Sequence, residues 1–171
     1  MCASAQQQID FAQLSNSGVP SSIPENYAGL HWTGLDAVNA LTYGEAGPGF
    51  STGPEVMVAF AGGPLCYPNY GGMVNDGSAS KNICEASISS GFGTDGVGTF
   101  EIKSAVVASG WTNGFVVVTA YNNGVQVGSS QKYALTTNST TLAFPNWGPI
   151  TQLVLHPSPN GSFVLYVLQL K

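Results

Sequence analysis

Phe115-Val116-Val117-Val118-Thr119-Ala120-Tyr121 is followed by Asn122-Asn123-Gly124 and then by Val125-Gln126-Val127. The first run is β-branched and aromatic, the composition that packs best on a pleated surface. Asn123-Gly124 is the dipeptide that accepts the two positive φ angles of a type I′ turn, and alternation resumes after it. The stretch therefore predicts a β-hairpin.

Similar signals flank it. Upstream, Gly98 to Val107 reads as a strand ended by Ser109-Gly110. Downstream, strands are expected over Thr140 to Phe144, Ile150 to Leu155 and Phe163 to Leu170, with Pro145, Pro149, Pro157 and Pro159 between them. Phe163, Val164, Leu165, Val167 and Leu168 leave the last strand no polar face, so it is expected at the centre of a sheet covered on both sides. In the first half, strands are expected over Ile9 to Leu14, Leu30 to Trp32, Ala37 to Leu41 and Glu55 to Phe60. Helical periodicity is nearly absent. Short strands separated by turns indicate an all-β sandwich or barrel.

Composition narrows the function classes. The chain has 171 residues, 43% hydrophobic and only 8% charged, which excludes a disordered tail. The basic residues are Lys81, Lys103, Lys132 and Lys171, and the net charge is −5, so a nucleic-acid partner is not expected. No apolar run reaches the ~18 residues of a membrane-spanning helix. Length and the lack of a linker indicate one domain over residues 6–171.

Residues 1–5 read as the remnant of a secretory signal, with Ala3-Ser4-Ala5 as the small-residue pattern before cleavage. Cleavage there would remove Cys2 and leave Cys66 and Cys84, an even count suited to an oxidising compartment. Both lie in a glycine-rich stretch, about residues 61–98, that reads as a surface excursion stapled by a Cys66–Cys84 disulfide. Such a bond contributes on the order of 3 kcal/mol. Two free thiols are the alternative. Asn138-Ser139-Thr140 and Asn160-Gly161-Ser162 are sequons, making Asn138 and Asn160 N-glycan acceptors in a eukaryotic secretory pathway. The expected location is extracellular.

Several segments resemble a known family. They are Ile9-Asp10-Phe11, the run Ile23-Pro24-Glu25-Asn26-Tyr27-Ala28-Gly29-Leu30-His31-Trp32, Gly98 to Ala105, and Tyr121-Asn122-Asn123-Gly124. Together they are similar to a secreted jelly-roll family known from bacterial exported proteins with PEP-CTERM-type sorting tails and from fungal relatives. The resemblance implies an antiparallel β-sandwich of jelly-roll type, like that of carbohydrate-binding modules. Such modules often hold a structural calcium between acids of the first and last strands. Asp10 is present, but Phe163 to Gln169 carries neither acid nor asparagine, so no complete calcium site and no cofactor are expected.

Catalytic signals are weak. His31 and His156 lie in different segments, and no metal-binding or nucleophile motif includes them. Asp36, Glu45, Glu55 and Glu101 leave room for a glycosidase pair only if two of them converge. Asp76, Asp95, Asn75 and Asn82 read as turn chemistry. The aromatics carry more. Trp111 in Gly110-Trp111-Thr112-Asn113-Gly114, and Trp147 in Pro145-Asn146-Trp147-Gly148-Pro149, sit in turn-forming surroundings, and Tyr121 adjoins the hairpin turn. Sugar rings stack on such aromatic planes, so these three are the expected ligand contacts, against the alternative that the tryptophans cap the core. The readings in order are a non-catalytic module for extracellular or cell-wall polysaccharide, a structural or adhesive extracellular protein, and a polysaccharide hydrolase or lyase.

Overall fold

The computed structural model describes residues 6–14, 16–62, 86–90, 98–158 and 161–171. Among them are twelve strands: β1 (Gln8–Ile9), β2 (Ser21–Ser22), β3 (Leu30–Thr33), β4 (Asp36–Asn39), β5 (Met57–Gly62), β6 (Ala86–Ser90), β7 (Ile102–Ala108), β8 (Gly114–Asn122), β9 (Val125–Leu135), β10 (Thr140–Ala143), β11 (Gln152–Pro157) and β12 (Ser162–Leu170). One sheet runs β10-β7-β12-β5-β4-β2, and β1 lies beside the second half of β12. The other runs β3-β6-β11-β8-β9. Every pairing is antiparallel, and the two sheets pack face to face as the all-β sandwich expected from sequence.

Period-two alternation builds the inner core. Trp32, Ile88, Leu153, Leu155, Val116, Val118 and Ala120 point inward from the five-stranded sheet. They meet Ala59, Ile102, Ala105, Val107, Phe163, Leu165 and Leu168 of the larger one.

The larger sheet also has a buried outer face. Val38, Val58, Phe60, Ala108, Val164, Tyr166 and Val167 form a second core with Ala40, Tyr43 and Phe50. Residues 40–56 form a strap across this face. Phe50 inserts edge-on to Phe60 at 5.2 Å, and Thr52 Oγ1 donates to the Thr137 carbonyl at 2.8 Å. Tyr166 donates its hydroxyl to the Gly49 carbonyl. The central place expected for β12 is observed: β7 pairs along one side, with β5 and then β1 along the other. A register shift between Leu165 and Val167 turns Tyr166 and Val167 to the same outer face, then returns Leu168 to the inner one.

The expected hairpin forms as β8–β9, with Asn123 at φ 49° and Gly124 at φ 77°. The expectation for residues 61–98 needs correction. Residues 86–90 are no excursion but an internal strand of the five-stranded sheet, between β3 and β11. Ala86 and Ile88 face the core while Ser87 and Ser89 face outward, a half-buried alternation too short to stand out among glycines. The strand expected over Ile9 to Leu14 is also shorter. It ends at Ile9, because the Leu14 amide turns back to the Phe11 carbonyl. Cys2, Cys66, Cys84 and Asn160 lie outside the described residues, as do the expected disulfide and signal remnant.

Candidate functional site

The outward face of the five-stranded sheet is where this fold gathers polar side chains around an aromatic. Register sets the arrangement. His31 stands opposite Ser89, Ser89 opposite Gln152, Gln152 opposite Tyr121, and Tyr121 opposite Gln126. These five residues make one row across all five strands, a span of about 19 Å at ~4.8 Å per strand spacing. A neighbouring row runs Thr33, Ser87, Val154 and Thr119. Thr119 and Val154 are buried, and Thr119 Oγ1 lies 2.8 Å from Ser130 Oγ. Tyr121 is half-buried and Gln126 exposed. Amides and hydroxyls flanking one aromatic plane can stack a sugar ring and bond its hydroxyls.

Along β8 the same face continues through Val117 to Phe115. Lys132 stands opposite Val117, diagonal to Phe115, and its Nζ lies 3.8 Å from the centre of the Phe115 ring.

The three aromatics expected to form one site are placed apart. Trp111 belongs to the β7–β8 connection at the start of β8, while Tyr121 is near its far end. The start of β8 at Gly114 and Tyr121 are about 23 Å apart at ~3.3 Å per residue. Trp111 lies edge-on to Phe50 at 4.9 Å, and its indole N–H donates to the Glu45 carbonyl at 2.9 Å. Gly47 abuts the indole so closely that a Cβ there would stand 2.6 Å from it. The Trp111 ring thus closes the second core. Its surroundings in the chain suggested an open loop because its partners come from the strap, some sixty residues earlier.

Trp147 stacks on Phe144 at 5.7 Å, and Phe144 meets Tyr133 edge-on at 5.8 Å. The indole also rests against Gly128, where φ is 65°. All three rings pack against the inner core where the edge strands β9 and β10 leave the sandwich open. Trp147 thus caps the core from the β9 side, and Tyr121 projects from the opposite face.

Asp10, Phe11, Tyr27 and Trp32, from the first two of the segments quoted for the resemblance, meet in one knot. Tyr27 donates its hydroxyl to the Asp10 carbonyl at 2.6 Å, and Trp32 Nε1 donates to the Tyr27 carbonyl at 2.9 Å. Phe11 lies 5.5 Å from Trp32 and 6.0 Å from Tyr27. Burial and the nearby Asp10 charge raise the Tyr27 hydroxyl pKa. Asp10 itself accepts the Ala12 amide at 3.1 Å in a local turn.

The candidate acids are dispersed. Asp36 stands opposite Phe60 on β5, five residues from Glu55, so about 16 Å separates them at ~3.3 Å per residue. A glycosidase pair needs about 5–9.5 Å. Glu101 pairs with Lys171 at 3.5 Å beside an open cleft of about 700 Å³ lined by Gln7, Leu30, Phe100 and Pro149. Burial raises the Asp36 carboxyl pKa, opposed by a hydrogen bond from Ser22. His31 faces Glu25 at 3.8 Å, and His156 stands opposite Val117 on the outward face of β11. Among the described residues no three of His, Cys, Asp and Glu converge as a metal ion would require. Asn138 is exposed in the β9–β10 turn, where its amide meets Thr136 Oγ1 at 3.2 Å.

The sequence singles out Tyr121 as a candidate but not the row around it. Ser89, Gln152 and Gln126 are unremarkable in their own segments, and only the register places them together. No protein-family model matches this chain, and no curated protein matches it.

Proposed function

We propose that the chain is a secreted, non-catalytic module that binds a neutral extracellular or cell-wall polysaccharide through the outward face of the five-stranded sheet. The observation that carries this reading is the cross-strand row with Tyr121 among Ser89, Gln152, Gln126 and His31. A net charge of −5 disfavours anionic glycans. One stacked ring contributes about 1 kcal/mol, roughly fivefold in affinity, so tight retention needs several contacts in line.

The test is retention on insoluble cellulose, xylan, mannan and chitin, comparing the native chain with Tyr121→Ala and Gln152→Ala. Retention of the native chain on one of them, reduced at least about fivefold by Tyr121→Ala, supports the reading. Trp147→Ala, which opens the core cap, should lower stability more than retention. A structural or adhesive extracellular protein is the second reading, favoured by the packing of Trp111 and Trp147 into cores. Absence of retention on all four supports would favour it.

A further inference from the structure

We infer that Phe115 is a second stacking platform on this face, covered in the free protein by the Lys132 ammonium, and that the ligand is an extended chain lying along β8. The inference rests on the glycan reading above. Residues 115, 117, 119 and 121 all face outward, because Val116, Val118 and Ala120 are buried in the inner core. Pairing of β8 with β11 keeps one unbroken register from Val116 to Tyr121, so the outward face is continuous. Phe115 and Tyr121 are therefore about 20 Å apart along one strand, at ~3.3 Å per residue. No single sugar ring reaches both. A linear oligomer does.

The position of Lys132 shows how the Phe115 ring is presented. An ammonium 3.8 Å from the ring centre requires a π-face, not an edge, turned toward Lys132 of β9. A sugar offers the same face its C–H groups, so ligand and ammonium compete for one surface. Lys132 is exposed, and its flexible stem lets the ammonium swing aside without disturbing the backbone. Phe115 itself is held in place: its amide donates to Ser158 Oγ at 3.3 Å, and its carbonyl accepts the Ser158 amide at 2.8 Å. A ring on an anchored stretch of backbone, under a movable cover, is a stacking subsite closed in the absence of ligand.

Calorimetric titration with cello-, xylo-, manno- and laminarihexaose, and with the matching disaccharides, tests the inference. For the hexasaccharide that binds, Phe115→Ala should weaken affinity about fivefold, and Phe115→Trp should restore it. Disaccharide binding at Tyr121 should be unchanged by Phe115→Ala. Lys132→Gln, which removes the competing charge, should tighten hexasaccharide binding about two- to fivefold. In the free protein, NMR should show the Lys132 ε-methylene protons shifted upfield by the Phe115 ring current, and the hexasaccharide should abolish that shift.

Unchanged hexasaccharide affinity in Phe115→Ala, or weaker binding by Lys132→Gln, would overturn the subsite while leaving the Tyr121 row intact. An unshifted Lys132 resonance in the free protein would overturn the cover directly. Failure of the native chain to bind any hexasaccharide would remove the glycan reading and this subsite with it.

Discussion

No side chain fits at Gly49: a Cβ there would be driven into the carbonyl oxygen of Ser109. The strap crosses the β7–β8 connection at this point, and the Gly49 amide donates to the Gly110 carbonyl at 2.8 Å. Gly49→Ala is expected to destabilise the protein by about 1–3 kcal/mol, the usual cost of overpacking, seen as a lower denaturant midpoint at unchanged slope. Asp36 gives a different test. Its folded-state pKa is raised by burial, so protonation favours the fold, and this contribution is lost as pH rises through the folded pKa. Asp36→Asn should therefore be more stable than the native chain at neutral pH, and the difference should shrink as the pH approaches 4. Thermal melts of both proteins across pH 4 to 7 would show it. Neither residue announces its role in the sequence, because Gly49 answers to Ser109 and Asp36 to Ser22 and Phe60.

The strands differ in how much of their placement local sequence carries. The β8–β9 hairpin is fully local, since Asn123-Gly124 sets the turn and the flanking residues set the pleat. β12 was legible for another reason: a strand apolar on both faces has nowhere to sit except the middle. β6 is the converse case. Ala86 and Ile88 are its only apolar residues, and their burial depends on β3 and β11 on either side. Ile88→Ala should cost about 2–5 kcal/mol, as for a core residue, whereas a surface excursion would lose almost nothing. Chemical denaturation separates the two. The strap was not legible at all, because Gly47 to Gly53 has no period and its contacts are with β5, β12 and the turns beside them. Phe50→Ala should cost about 3–5 kcal/mol by emptying the second core. Near-ultraviolet circular dichroism should also change as Trp111 loses its edge-on partner.

The two sheets divide the work between them. The larger is covered on both faces, by the opposing sheet and by the strap, and carries the stability. Among the described residues the smaller is covered on one face by its partner sheet, and the polar row with Tyr121 lies on the other. The candidate site was legible in its chemistry but not in its location. The sequence shows aromatics beside turn residues, yet whether a ring closes a core or faces outward depends on partners sixty residues away. Trp111 and Tyr121 have similar neighbours in the chain and opposite fates in the fold. At Gln126, the exposed end of the row, a substitution should alter binding with a stability change within about 0.5 kcal/mol, as for surface positions generally. Parallel melting and retention assays on Gln126→Ala would check this.

The place of β12 also has a consequence in time. The strand at the heart of the larger sheet follows the other described strands, so the strands it joins wait for it during synthesis. Until it arrives, β5 and β7 have no common neighbour, and Gly49 and Gly53 have no Tyr166 to close upon. The early half of the molecule leaves the ribosome with β5 able to pair with β4 but with its other edge open. Closure of the larger sheet then comes late, at the slow rates typical of distant strand pairing. A chain with so little charge to keep it dispersed in that interval gains from the many glycines and prolines that interrupt its apolar runs, because they hinder premature strand-to-strand association.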